Sequence, residues 1–371
     1  MAMSWANLII TVAMLASGLA VPPAVVHADD VEQDKAIAAI VAAGGKVERI
    51  EGGIKVDLSF NFHGDAEAAL VHLPALPAVR WLDLRTSQIT DVGLARLAGL
   101  KELQSLDLMN ARITDAGLAH LAGLTKLRSL AFGYVEISDA APVHLAGLTN
   151  LRLLDLQGTK VTDAGLDQLA KLKFLDSLYL TGTGVTDAGM ARIAEFKLLR
   201  SLKPNATEVT NAGIARLAGL TELRSLSLAG SGVTDAGLVH LAGFKFLEEL
   251  TPGVVTDAGM AHLAGFTQLR KLDLTGDPVT DTGIARLAGL TELRALSLGG
   301  TGVTDAGLVH LVGLKELRFL DLQNTQVTDV GLARLAGFKE LRFLTLGGTG
   351  VTEAGMQQLR KSLPKVRIDY F

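Results

Sequence analysis

The stretch "LRALSLGGTGVTDAGLVHLVGLKE" occupies residues 293–316. Its core phrase, "VTDAGLVHL" at 303–311, stands again at 233–241, and close variants recur along the chain. A catalytic motif is written once, because a site needs one nucleophile or one metal. A phrase written a dozen times specifies architecture. A search for periodicity aligns twelve units, nearly all 24 residues long, beginning at Val79, Leu103, Leu127, Leu151, Leu175, Leu199, Leu223, Leu247, Leu269, Leu293, Leu317 and Leu341.

Comparing the units position by position shows what each place must do. Positions 1, 4 and 6 are apolar, as in Leu293, Leu296 and Leu298, and the alternation at 4 and 6 predicts a strand. Position 11 is Val or Ile in all twelve units. Positions 16, 19 and 22 (Leu308, Leu311, Leu314) have the spacing of a short helix with one buried face. Position 12 is Thr in eleven units and Ser138 in the other, which reads as a helix N-cap. Position 13, Asp in ten units, faces the positive end of the helix dipole, so it should matter less than the cap. Gly at position 21, as in Gly99, Gly123 and Gly313, is expected to end the helix in a left-handed conformation. One unit cannot fold alone, because seven buried side chains do not offset the ordering of a whole coil. Stacking on neighbours makes the difference.

The LxxLxL strand followed by a short helix resembles the leucine-rich repeat superfamily over residues 79–362. The pattern LxxLDLxxTxVTDAGLxxLAGL is similar to the cysteine-containing repeats of F-box adaptors and to bacterial arrays of similar length. That family usually has Asn or Cys at position 9. Here Thr prevails (Thr159, Thr183, Thr301, Thr325, Thr349), and its hydroxyl is expected to bond backbone amides of the turn. No F-box-like segment is found, so ubiquitin-ligase function does not carry over. The resemblance implies an α/β right-handed solenoid, or horseshoe, with a parallel sheet on the concave face and short helices on the convex face. Four regions follow: an export signal over 1–28, an N-terminal cap with a degenerate first repeat over 29–78, twelve repeats over 79–362, and a C-terminal cap strand over 363–371. Within the cap, "QDKAIAAIVAAGGKVERI" reads as a helix, a Gly-Gly stop and a strand.

Composition narrows the function classes. The formal net charge is −4, aromatics make up 5%, and no run of Lys or Arg rises above background, so nucleic acid is not an expected partner. Cysteine is absent, which removes disulfides, thiolate zinc sites and cysteine nucleophiles. The apolar run "LIITVAMLASGLAV" (8–21), followed by Pro22, Pro23 and small residues at Val26 and Ala28, reads as a cleavable export signal despite a start without Lys or Arg. Its rival is an uncleaved anchor. Removal of the signal leaves a chain with no other segment suited to a membrane, placed outside the cell or in its envelope, and expected to be monomeric.

No Ser/His/Asp set, phosphate loop or HExxH motif occurs, and no enzyme, cofactor or metal is expected. Five histidines (His120, His144, His240, His262, His310) share position 18, alternating with arginines on the outer helix face; a metal pair between adjacent coils is the less economical account. Position 2 is Arg in nine units and position 5 is often Asp, columns expected to form cross-coil charge ladders. In this family ligands are read by irregular residues of the inner sheet, at positions 3, 5 and 7. The candidates are Phe319 and Phe343 with Asp321, the trio Trp81, Asp83 and Arg85, and Tyr179 with Lys203. Pro204 and Pro252 replace Leu at position 6, and the second lies in a unit two residues short. They mark either a docking site or decay of the repeat. The expected role is a non-enzymatic scaffold holding a protein ligand on its concave face; the alternatives are a structural or cell-surface component without a specific ligand, or an adaptor resembling the F-box-type repeat proteins but lacking an F-box.

Overall fold

Each unit closes into one coil. In the computed structural model, residues 28–59 and 65–370 are described. The export signal expected over 1–28 lies outside them, apart from Ala28, where the first helix begins. Among the described residues, fifteen strands form one sheet in strict chain order. It opens with an antiparallel hairpin, Lys46–Ile50 on Gly53–Asp57, and every later pairing is parallel. Equivalent residues face each other, so Leu296 lies between Leu272 and Leu320. The three-residue strands line the concave face. Short α- and 3-10 helices, four to seven residues in most coils, line the convex face. Between the two layers the Leu, Val and Ile of positions 1, 4, 6, 11, 16, 19 and 22 form one continuous core, almost all with no exposure. Phe132, Phe196, Phe244 and Phe338 are its largest fully buried side chains.

At the N-terminal end, the helix Ala28–Ala42 stops at Gly44, whose φ is +99°, and Ile40 caps the core with Leu58, Leu70 and Leu73. At the other end, the helix Glu353–Ser362 and the strand Arg367–Asp369 close the array, and the Tyr370 hydroxyl donates to the Val351 carbonyl at 2.8 Å.

The phrase TDAG does more than start a helix. Thr280 and Thr328 cap their helices as expected, and Thr304 makes the same bond, its hydroxyl accepting from the Ala306 N–H at 3.1 Å, in the turn that leads into the helix Leu308–Leu311. The same hydroxyl donates to Asp281 of the preceding coil at 2.6 Å, and Asp281 also accepts from the Thr304 N–H at 2.9 Å. Asp305 repeats the pattern with Thr328, at 2.8 and 2.6 Å. The ladder runs from Glu67, which accepts from Thr90, to Asp329, which accepts from Thr352. The N–H and hydroxyl of Thr352 hold the Asp329 carboxyl below the ordinary range. Position 13 is therefore an inter-coil acceptor, and the dipole reading understated it. Position 15 follows from the same geometry. A Cβ on Gly307 would lie 2.3 Å from Asp281 Oδ1, and one on Gly283 would lie 2.4 Å from Asp257 Oδ1.

Three further expectations change. The position 21 glycines are not left-handed; the residue with positive φ is position 8, after the strand, as in Gly158, Gly182 and Gly300 and also in Asn110, Tyr134, Ala206 and Asn324. The chain must turn sharply there while the position 8 N–H still reaches the next coil, as Gly300 does to the Gln323 carbonyl at 2.7 Å. The position 9 hydroxyl chiefly donates to the position 6 carbonyl, Thr301 to Leu298 at 2.7 Å and Thr159 to Leu156 at 2.6 Å. Among the described residues it accepts the expected turn amide only in coils 7 and 12, where the Val233 N–H donates to Ser231 and the Val351 N–H to Thr349. The Arg and Asp columns do not pair across positions 2 and 5. Most position 5 carboxylates accept from their own strand end, as Asp321 does from the Gln323 N–H at 2.9 Å.

Candidate functional site

The concave face is built from positions 3, 5 and 7, which alternate with the buried Leu of positions 4 and 6. Three clusters of the predicted residues lie on it, and the structure keeps them apart.

At the C-terminal end, Phe319 and Phe343 are direct register partners on neighbouring strands, Phe319–Asp321 and Phe343–Thr345. Phe319 is half-buried and Phe343 is 50% exposed. The final strand places Arg367 opposite Phe343 and leaves the ring open. Asp321 stands between Ser297 and Thr345, and the Thr345 hydroxyl donates to it at 2.5 Å. Near the N-terminal end, Trp81 is 37% exposed and lies between Lys55 and Ser105. Asp83 and Arg85 are spent on each other through a forked contact (Nη2 to Oδ2 2.7 Å), with Asp107 3.5 Å from the guanidinium. Burial pushes the Asp107 carboxyl upward, and the Asp83 charge adds to it. In mid-array, Asp155, Tyr179 and Lys203 share position 5 of consecutive coils. The Lys203 ammonium sits 4.6 Å from the Tyr179 ring centroid, a cation–π contact. Burial raises the Asp155 carboxyl, offset by its bond from Gln157 N–H and by the Lys203 charge.

The comparisons with known proteins bear on the fold that carries these clusters. Family models described as leucine rich repeat match residues 101–161 and 315–336. An internalin from Listeria monocytogenes is structurally similar with a TM-score of 0.56 and 26% identity, over 74% of this chain and 82% of its own. The chain is a leucine-rich repeat protein. A repeat protein from Leptospira interrogans aligns over 81% of this chain and 98% of its own at 17% identity, with a TM-score of 0.41. No curated protein matches the sequence. Leucine-rich repeat arrays commonly serve as interaction scaffolds rather than enzymes.

The array also carries a groove that the reading of single positions missed. Lys203, Asn205, Ser225, Ser227, Glu249, Thr251, Lys271 and Asp273 surround about 310 Å³ on the inner sheet. Its floor is low because Ser225, Ser227 and Thr251 are small, and its rims carry two ammonium groups and two carboxylates. Ser225 donates to Glu249 at 3.2 Å. The groove lies across the two coils that contain Pro204 and Pro252 and their next neighbours. The legible clue was a run of small residues at positions 3 and 5 of coil 7, flanked by charged ones. Among the described residues, no group of three or more His, Cys, Asp or Glu is arranged to hold a metal ion, and no helix is long and apolar enough to cross a membrane.

Proposed function

We propose that this leucine-rich repeat protein is an exported, non-enzymatic scaffold that holds a protein ligand on its concave sheet. The observation that carries the reading is the Phe319/Phe343 pair. Two rings stand side by side on the inner face, one of them half-exposed, where several other coils carry Ser. Ser is readily solvated, whereas adjacent Phe rings keep apolar surface in contact with water until a partner covers it. The Tyr179–Lys203 pair and the groove beside it extend the same face toward mid-array and supply polar contacts of both signs. Trp81 marks its N-terminal limit.

The test uses Phe319→Ser/Phe343→Ser, which restores a residue common in that column. Envelope proteins of the source cell are captured on the wild-type chain and on the variant. The expected result is a specific band lost from the variant while its thermal midpoint stays within about 2 °C of wild type. Identical captures, or a variant that melts far lower, would show that the rings serve packing and remove the concave site. Export has its own check: amino-terminal sequencing of the secreted chain should start at Asp29, and a start near Met1 would favour an anchor.

A further inference from the structure

The fold assembles a basic surface that no continuous run in the sequence announces. Positions 24 and 2 flank the entry to each strand, on the edge of the inner sheet. The N–H of position 2 donates to the position 2 carbonyl of the preceding coil, Arg152 to Arg128 at 2.8 Å and Arg128 to Gln104 at 2.7 Å. Side chains 24 residues apart therefore stack at about 4.8 Å intervals. Here Gln104, Lys126, Arg128, Asn150, Arg152 and Phe174 surround a recess of about 200 Å³, and no carboxylate lines it. Two acids flank the recess: Glu102 pairs with its Lys126 at 2.6 Å, and Asp176, at position 2 of the coil after Arg152, accepts from the Ser177 hydroxyl at 2.8 Å, so the recess offers the two arginines as its open cations. Arg128 and Arg152 are both exposed, and among the described residues neither forms an ion pair.

An apolar strip runs beside these cations. Phe174 is 52% exposed, and Leu198, at the same position of the next coil, is 48% exposed. Two coils further on, Phe246 lies 5.7 Å from the Arg224 guanidinium carbon, so ring and guanidinium already associate along this edge. Neighbouring guanidiniums match paired carboxylates, each able to accept two parallel hydrogen bonds. A strip of Phe and Leu selects for apolar side chains between those carboxylates. A polyanion without apolar groups would leave the strip uncovered and would approach a chain of net charge −4.

We infer that this sheet edge, centred on Arg128, Arg152, Phe174 and Leu198, is a second docking surface that takes an acidic peptide segment carrying apolar side chains. The surface is separate from the concave face and does not depend on the reading of Phe319 and Phe343. The probe is a fluorescein-labelled peptide, Glu-Glu-Phe-Glu-Glu-Leu-Glu-Glu, titrated by anisotropy against the full chain. The surface predicts saturable binding that weakens about tenfold or more in Arg128→Ser/Arg152→Ser, and several-fold in Phe174→Ser/Leu198→Ser. Both variants change exposed side chains, so their thermal midpoints should match wild type. The Gln analogue of the peptide should bind weakly. Phe319→Ser/Phe343→Ser should bind the peptide as wild type does. Binding unchanged in the arginine variant, or no binding at all, would overturn the inference. A twelve-nucleotide oligothymidylate bound as tightly as the peptide and lost in the same variant would assign the edge to nucleic acid instead.

Discussion

Thr304 and Asp305 are adjacent, yet they serve different junctions. Thr304 links coil 9 to its own coil through Asp281, and Asp305 links its coil to the next through Thr328. The sequence identified the local bond of this Thr, which caps the helix in coils such as those of Thr280 and Thr328 and in coil 10 closes the turn before the helix, because a hydroxyl before an acidic first turn has a local meaning. The second role was invisible, because the partner of Asp305 is 23 residues away. Removing Asp305 leaves the Thr328 N–H and hydroxyl without their acceptor, whereas removing Thr304 also deletes a donor. We therefore expect Asp305→Ala to destabilise at least as much as Thr304→Ala, each by about 0.5–2 kcal/mol. Urea denaturation of both variants decides it, and a clearly smaller effect for Asp305→Ala would return the residue to a dipole role. Glycine gives a sharper contrast. Gly283 faces Asp257 at a distance no Cβ tolerates, while Gly289 has open space around it, is exposed and has no positive φ. Gly283→Ala should destabilise by more than 1 kcal/mol, roughly, through strain on the ladder. Gly289→Ala should stabilise by about 0.4–1 kcal/mol by restricting the unfolded chain. The repetition of Gly at position 15 in eleven units was legible; its cause required the neighbouring coil.

At the scale of one coil, the short eighth unit shows how a deletion is accommodated. It lacks the position 9 hydroxyl, and Gly253 and Val254 span the turn where other coils use four residues, with Gly253 at a φ of +92°. In coils 7 and 12 the position 11 N–H reaches the hydroxyl of its own coil, Val233 to Ser231 at 3.4 Å and Val351 to Thr349 at 3.5 Å. In the short unit, the Val255 N–H donates instead to Asp277 of the next coil at 3.1 Å. Asp277 replaces Thr at position 9 and is only 5% exposed. Burial raises its carboxyl to about 6, against a partial offset from the Val255 N–H, and Asp273 and Asp235 add like charge. The folded state therefore holds the proton to higher pH than the unfolded chain does. Stability falls as pH rises from about 4 to about 6, and the loss persists above that. Asp277→Asn keeps an acceptor for Val255 and removes the charge. It should be more stable than wild type by about 1–3 kcal/mol at pH 7.5, with the difference vanishing near pH 4. Denaturation midpoints at the two pH values test this, and a pH-independent difference would mean that the charge is not the cause. Pairing an unusual Asp with a missing hydroxyl one coil earlier was open to sequence reading in principle. Treating each unit against the consensus, rather than against its neighbour, concealed it.

The whole molecule is a one-dimensional stack, so its weakest junctions set how it opens. Regular junctions carry a bond from the position 6 N–H to the position 5 carbonyl of the next coil, as from Leu180 to Lys203 at 2.9 Å and from Leu228 to Thr251 at 2.8 Å. Pro204 and Pro252 have no N–H to give, so the Ser227 and Asp273 carbonyls lose that donor. Their strands keep only two register pairs with the following coil, Ser201↔Ser225 with Leu202↔Leu226, and Glu249↔Lys271 with Leu250↔Leu272. The Asp–Thr ladder on the other side of the coil continues past both places, where the Thr234 N–H donates to Asn211 at 2.9 Å and the Thr280 N–H donates to Asp257 at 2.7 Å. The two junctions are thus loosened on the concave side only. The polar groove from Lys203 to Asp273 spans both of them, which joins a mechanical feature to the proposed binding face. Native-state hydrogen exchange in low denaturant should divide the array at these seams. Amides of coils 1–6 and of coils 9–12 should each exchange as a block, with coils 7 and 8 opening at lower free energy than either. Pro204→Leu with Pro252→Leu restores both donors and a side chain the core accepts elsewhere. Each restored bond is worth about 0.5–1.5 kcal/mol, so the variant should bring coils 7 and 8 toward their neighbours. Uniform protection along the wild-type array would show that the ladder alone makes the stack cooperative and that the prolines cost it nothing.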